Sequence, residues 1–372
     1  MLSRPAPVLL FIHSLGHGGS ERQLAGLARS LDRRRFLPHV ASVLGGFHVD
    51  QLRSEGVPVI EFPLRSYLRR DTLAVARSLR RYIRKQGITL VHSFDYGPAF
   101  FGVAVARSAG VIALSSQRFY MDSVPPKYRR LVLAAHWLAH GVVANSEALR
   151  QYLHERYWYP LRRIDVCPNG LDTAIFHPRD RRRFDTLGDA DLVIGSVCVL
   201  RKEKNLGQLL RAFAQVRGAV PNSKLLLVGS GPEEPGLRLL ATQLGIDDSC
   251  CFLPTTQDVP SALRSIDIFV HPSLSEGMPN AVMEAMACGC MVIASRAGGG
   301  PELIQHGIHG FLTNTGDQED LVRNLTSAIR DPAGCRRMAA AAAERIQNGF
   351  SIAASARRLE QIYSSYILGP RD

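Results

Sequence analysis

The stretch Pro272–Glu302, PSLSEGMPNAVMEAMACGCMVIASRAGGGPE, decides how the rest of the chain is read. It sets two carboxylates, Glu276 and Glu284, eight residues apart around the turn Gly277-Met278-Pro279-Asn280. The spacing of Ala281, Met283, Ala285, Met286 and Ala287 predicts a short helix from about Asn280, with Pro279 at its first turn and Gly289 as its stop. Glu276 then lies in the loop ahead of the helix and Glu284 within it. The backbone N–H groups of residues 277 to 281 would point out of the helix start, where the helix dipole favours an anion. A carboxylate beside such a site accepts hydrogen bonds from hydroxyls while the amides hold phosphate, which suits a ligand carrying both.

Outward from this stretch, Asp267–His271 reads as the buried strand that feeds it and Met291–Ser295 as the next strand. The same strand-helix rhythm runs back through strand Leu192–Val197, helix Leu206–Val220, strand Leu225–Val228, helix Leu237–Leu244 and strand Cys251–Leu253. Between the first strand and helix lies Leu200-Arg201-Lys202-Glu203-Lys204-Asn205. Cations at such a turn can neutralise a diphosphate through charge-assisted hydrogen bonds. A glycine loop, Gly229-Ser230-Gly231-Pro232, follows the second strand.

The front half has its own version. Strand Val8–Ile12 runs into a loop with Gly18 and Gly19 and a helix from about Glu21, and glycines there permit close approach to a phosphate. The spacing is not G-x-G-x-x-G, so the dinucleotide fingerprint fails. A long helix is expected over Ser66–Gln86, with Leu68, Leu73, Val75, Ala76, Leu79, Tyr82 and Ile83 on one side and basic residues on the other. Strand Ile88–His92 ends in His92-Ser93-Phe94-Asp95-Tyr96-Gly97, at the strand end where open α/β sheets bind ligands. Asp95 and Tyr96, with Arg118 in a later loop, are the ligand-side candidates, while His92 reads equally as a core residue. Arg179–Asp191 is polar and poorly periodic, the expected linker. Asp189-Ala190-Asp191 inside it lacks the apolar strand a metal-binding D-x-D would need.

Glu276-x7-Glu284 with Ser275–Asn280, followed by Gly298-Gly299-Gly300-Pro301-Glu302, resembles the retaining GT-B glycosyltransferases of family 4. The Gly18-Gly19 loop and the order Asn169-Gly170-Leu171-Asp172 then Phe176-His177-Pro178 are similar to that family's first strand-helix unit and closing turn. The resemblance implies an α/β GT-B fold, two doubly wound Rossmann-like domains facing a cleft. An acceptor-side domain is expected over residues 1–185 and a donor-binding domain over 186–350, with a helix within 351–367 crossing back to the first. It implies that Glu276 contacts the donor sugar and Glu284 the nucleotide ribose. Lys204 and Arg201 would oppose the diphosphate, and Ser275, Gly277, Met278, Pro279, Asn280, Gly229 and Gly231 would complete the donor site. Two positions depart from the pattern: Phe94 stands where a second His is frequent, and Val199 where an Arg is common, so that Arg201 would substitute. The expected reaction is sugar transfer from a nucleotide-sugar to a carbohydrate or lipid-linked acceptor, with retention, no metal and no further cofactor. A nucleotide-sugar 2-epimerase on the same architecture is the alternative enzyme. A glycosidase would need both acids flanking one bond.

Composition bounds the rest. A chain of 372 residues with 46% hydrophobic and 21% charged residues suits two globular domains. Residues 1–185 hold 28 Lys and Arg against 14 Asp and Glu, whereas the remainder holds 17 against 19. That asymmetry points to an anionic partner for the front half, for which an anionic membrane surface fits. It is concentrated in Arg65–Lys85 and Lys127–Arg130, the latter beside the apolar run Leu131–Ala139 with Trp137. Nucleic-acid binding rests on charge alone, with no helix-turn-helix, zinc or aromatic-platform pattern, and no nucleic-acid partner is expected. The seven cysteines form no C-x-x-C pair, as in a reduced cytoplasmic protein. Leu131–Ala144 falls short of the ~20 residues that span a bilayer, so peripheral attachment is the expected membrane contact.

Overall fold

A computed structural model describes residues 4–64, 67, 72–179 and 183–369. The chain divides into two compact units, residues 1–170 with 352–372, and residues 171–351. The first unit contains β1 (Ala6–Ile12), α1 (Gly19–Ser30), β2 (Phe36–Ser42), α2 (His48–Ser54), β3 (Val59–Glu61), α3 (Thr72–Lys85), β4 (Leu90–Ser93), α4 (Tyr96–Ala109), β5 (Ile112–Gln117), α5 (Pro126–Leu138), β6 (Gly141–Ala144), α6 (Glu147–Tyr157) and β7 (Ile164–Val166). The second contains β8 (Leu192–Val197), α7 (Leu206–Val216), β9 (Ser223–Val228), α8 (Glu234–Gln243), β10 (Cys250–Leu253), α9 (Val259–Arg264), β11 (Ile268–His271), α10 (Asn280–Ala287), β12 (Met291–Ser295), α11 (Gly300–Leu303), β13 (Phe311–Thr313), α12 (Gln318–Arg330) and α13 (Pro332–Gly349). The last helix, α14 (Ile352–Leu368), returns to the first unit.

Both sheets are parallel, in the orders β3-β2-β1-β4-β5-β6-β7 and β10-β9-β8-β11-β12-β13. Each order reverses direction once, between β1 and β4 and between β8 and β11. Loops leaving the carboxyl ends of those strand pairs border the crevice where open sheets hold ligands. This is the doubly wound architecture repeated, the GT-B fold. The run Val8–Ile12 is fully buried because β1 is central and covered on both faces. Val8, Leu10 and Ile12 pack towards α1 and α14, and Leu9 and Phe11 towards α3 and α4.

Several elements differ from the sequence reading. The helix expected over Ser66–Gln86 is described over Thr72–Lys85, and Tyr67 lies in a turn. Arg65, Leu68, Arg69 and Arg70 lie outside the described residues, and Leu73 is exposed because only Leu79 and Ile83 of that helix reach full burial. α4 starts at Tyr96, three residues ahead of the Ala99 expected, and α9 and β13 were not anticipated. The chain passes between units at Gly170–Leu171, ahead of the expected linker. Leu171 N–H donates to the Phe350 carbonyl (2.8 Å), and beyond it Leu187 and Ala190 already belong to the second core, with Phe184 packed against them. Arg183 closes the start of this unit on Asp267 at 2.9 Å. Residues 180–182 of the expected linker lie outside the described residues.

Candidate active site

In the second unit the two loops at the switch point are those following β8 and β11. The first turns through a short 3-10 segment, Lys202–Lys204, and is closed by Asn205 in the left-handed conformation (φ 53°). The second runs from Pro272 to Pro279 and enters α10, whose N-cap Pro279 supplies no side-chain cap. The loops are tied by the Leu274 N–H, which donates to the Glu203 carbonyl at 2.8 Å. Across this clamp Lys204 Nζ donates to Glu276 Oε1 at 2.5 Å. His271 Nε2 lies 2.8 Å from the same oxygen, and Ser273 Oγ lies 3.1 Å from His271 Nε2. Burial alone would raise the Glu276 carboxyl. The hydrogen bond and charge of His271, joined by the Lys204 ammonium, outweigh that and hold it far below the usual carboxylate range. Glu276 therefore stays ionised throughout the physiological range, with Oε2 directed to no protein partner among the described residues.

Glycines set this geometry by close approach. A Cβ on Gly298, which sits at φ 52°, would fall 1.7 Å from the Glu276 carbonyl oxygen. Gly299 N–H donates to the Gly277 carbonyl at 2.8 Å, and its own Cβ position is crowded by the Met278 thioether. The Gly298–Gly300 turn thus lies against the backbone that carries Glu276. Gly229 and Gly231 do the same for the other loop, where added Cβ atoms would meet the Cys198 and Leu200 carbonyl oxygens at 1.9 and 2.3 Å. Their backbone contacts are to the loop that leads to Lys204.

The remaining expected residues fall in place unevenly. Glu284 is buried within α10, Met278 is buried, Ser275 is exposed and Asn280 opens the helix. Arg201 is exposed, its guanidinium 4.0 Å from Glu203. Sequence reasoning missed His271 as a site residue. The available signal was a polar residue ending the apolar run Ile268-Phe269-Val270 at a strand's carboxyl end.

In the first unit the corresponding loops follow β1 and β4. Asp95 sits at φ 62°, ψ 169°, a region non-glycine residues rarely use. Burial, and next the Glu21 carboxylate, push Asp95 up to about 6, against the pull of Arg118 and hydrogen bonds from Ser20 and the His13 backbone. Arg118 donates to Asn169 Oδ1 at 2.8 Å and lies 5.4 Å from the centre of the Phe94 ring. Tyr96 stacks on Tyr128 at 5.7 Å. Gly18 and Gly19 do form the start of α1, yet Glu21 folds back over them. A Cβ on Gly18 would stand 2.2 Å from Glu21 Oε2, and Glu21 Oε1 accepts from Ser14 Oγ at 2.8 Å. The helix start expected to hold phosphate is faced by the chain's own carboxylate. His92 is a core residue: Nδ1 lies 2.8 Å from the Tyr363 hydroxyl and Nε2 2.8 Å from Ser116 Oγ, and burial pulls it down to about 3. Among the described residues no group of three His, Cys, Asp or Glu is placed to hold a metal ion.

This fold and this site define a class, the GT-B glycosyltransferases. The family model for glycosyltransferase family 4 matches residues 17–175, and that for glycosyl transferases group 1 matches residues 179–345. The chain belongs to this family. It is 30% identical to the D-inositol 3-phosphate glycosyltransferase of Salinispora tropica over 89% of its own length and 75% of that protein's. It is 26% identical to the UDP-Gal:alpha-D-GlcNAc-diphosphoundecaprenol alpha-1,3-galactosyltransferase of Escherichia coli, over 78% of this chain and 79% of that one. Across the first relatives it matches, the chain spans from 56% to 79% of their lengths. Its fold also matches that of Anabaena HepE, solved with UDP, at a TM-score of 0.83 and 22% identity, over 96% of this chain and 99% of that one.

Proposed function

We propose that this chain moves a sugar from a nucleotide-sugar to a carbohydrate or lipid-linked acceptor, with retention at the anomeric carbon, in cell-surface polysaccharide or glycolipid synthesis. It would work in the cytoplasm, on the membrane face where a lipid-linked acceptor is presented. The observation that carries the reading is the Lys204–Glu276–His271 cluster at the β8/β11 switch point. Breaking the donor's glycosidic bond leaves negative charge on the departing diphosphate. The Lys204 ammonium has three N–H donors and gives one to Glu276, leaving others for that charge, beside the uncapped start of α10. Glu276, held ionised, has Oε2 to orient a donor hydroxyl or to offset positive charge developing on the sugar. Glu284 would serve the ribose, and Asp95, Tyr96 and Arg118 the acceptor. The names of the Escherichia coli relative and of the HepE complex support a uridine nucleotide donor and a lipid-linked acceptor.

The test is a panel of nucleotide-sugars incubated with and without acceptor sugars and lipid-linked sugars, with the product's anomeric configuration read by NMR. Acceptor-dependent product retaining the donor configuration is expected. Conversion of donor to its 2-epimer without acceptor, or an inverted product, would overturn the reading.

A further inference from the structure

One loop of the first unit holds apolar side chains outward at the end of the sheet where ligands bind. Residues 43–47 connect β2 to α2, and in them Leu44 is 52% and Phe47 57% exposed. Backbone hydrogen bonds fix this loop against the one that follows β1. Leu44 N–H donates to the His13 carbonyl at 2.8 Å, Leu15 N–H to the Gly45 carbonyl at 3.3 Å, and His48 N–H to the Leu15 carbonyl at 3.0 Å. Gly46 sits at φ 152°, with its Cβ position 2.5 Å from the Leu15 carbonyl carbon, so the approach requires glycine. Phe47 is braced by two imidazoles. Its ring stands nearly perpendicular to that of the buried His48, centroids 5.2 Å apart, and lies 4.4 Å from that of the exposed His17 at 36°.

The chain from His13 to Glu21 joins this ring to groups already placed on the acceptor side. His17 lies at Phe47, Ser14 donates to Glu21 at 2.8 Å, and Asp95 accepts from the Ser20 side chain and the His13 backbone. β2, β1 and β4 are neighbours, so their ends fall within two strand spacings, about 10 Å. We propose that Phe47, braced by His17, is a stacking platform for a pyranose ring of the acceptor, an inference that rests on the transfer reading above. The C–H groups on one face of a pyranose carry slight positive charge and meet the negative face of an aromatic ring, while its hydroxyls at the ring edge need acceptors. Glu21 and Asp95 offer carboxylates beside the platform. They repel a phosphate, and a polyprenyl tail would bury them without hydrogen bonds. A neutral sugar ring suits both the aromatic face and the acids, so the acceptor is of the class that presents one there, free or lipid-linked.

The test uses the intact protein and the methyl α-glycosides of glucose, galactose, mannose and N-acetylglucosamine as probes. Saturation-transfer NMR with irradiation of the aromatic protons should label the ring C–H protons of at least one glycoside. The label should vanish in Phe47→Ala, persist in Phe47→Tyr and Phe47→Trp, and resist excess UDP. In transfer assays Phe47→Ala should raise the acceptor KM about tenfold, the scale of one aromatic stacking contact, with the donor KM unmoved and Phe47→Trp restoring the parent value. Its melting curve should match the parent's, because Phe47 is exposed. Labelling of no glycoside, equal labelling in Phe47→Ala, displacement by UDP, or a raised donor KM in Phe47→Ala would overturn the inference. Labelling that depends on Phe47 in a protein that transfers no sugar would leave the platform standing and count against the transfer reading alone.

Discussion

Lys204 Nζ and Glu276 Oε1 lie 2.5 Å apart although 72 positions separate them, because β8 and β11 are neighbours at the point where the strand order reverses. The pair is pre-set before any donor arrives, so its removal falls on the transition state. Glu276→Gln and Lys204→Ala are each expected to lower kcat for transfer by about 10² or more, the scale of one lost electrostatic stabiliser. Steady-state kinetics at saturating donor check this; wild-type turnover in Glu276→Gln would rule out the assigned role.

Glu284 is expected to behave differently. A ribose contact is shared by bound donor and transition state, so Glu284→Gln should raise the donor KM with a smaller change in kcat. Donor titrations of parent and variant, read alongside a melting curve because Glu284 is buried, separate a binding loss from unfolding.

Gly298→Ala puts a methyl group where the Glu276 carbonyl now stands, 1.7 Å away, and displaces the carboxylate's backbone. A displacement on the order of 1 Å costs about 10²-fold in rate. Gly236→Ala, with open space around its Cβ, is the matched control and should be silent. Comparable rates in the two variants would mean that the Gly298 turn does not set the site.

Activity should survive EDTA. The charge opposing the leaving diphosphate is assigned to the Lys204 ammonium and the start of α10. Transfer assays in chelator, then with Mg²⁺ or Mn²⁺ added back, decide it, and activity abolished and restored by metal would contradict the assignment.

Asp95 supplies a pH prediction. Its carboxyl is raised to about 6 in the fold from 3.8, so the unfolded chain releases the proton first. Between about pH 4 and 6 the native state therefore binds more protons and loses stability as pH rises. Asp95→Asn should melt higher than the parent at neutral pH, and the gap should close towards pH 4; a pH-independent difference would refute the shift.

How much of this could be read from the residues alone follows from what each signal depends on. Val8–Ile12, Leu192–Val197 and Met291–Ser295 were legible because a central parallel strand must be apolar on both faces. Glu276, Lys204 and the Gly298–Gly300 turn were legible because loop chemistry and motif order stand in one local stretch each. His271, Ser273 and Glu21 were not, since their part is fixed by contacts that only the folded backbone makes. Arg201 was named as the substitute for the Arg that the resemblance expects at Val199, and its guanidinium lies 4.0 Å from Glu203.

Tyr363 of α14 is fully buried, its ring against Phe36 and its hydroxyl on His92. The first unit's core is therefore incomplete until α14 has been synthesised, whereas residues 171–351 form a continuous unit that precedes it in the chain. On the nascent chain the half that begins synthesis first is the half that finishes folding last.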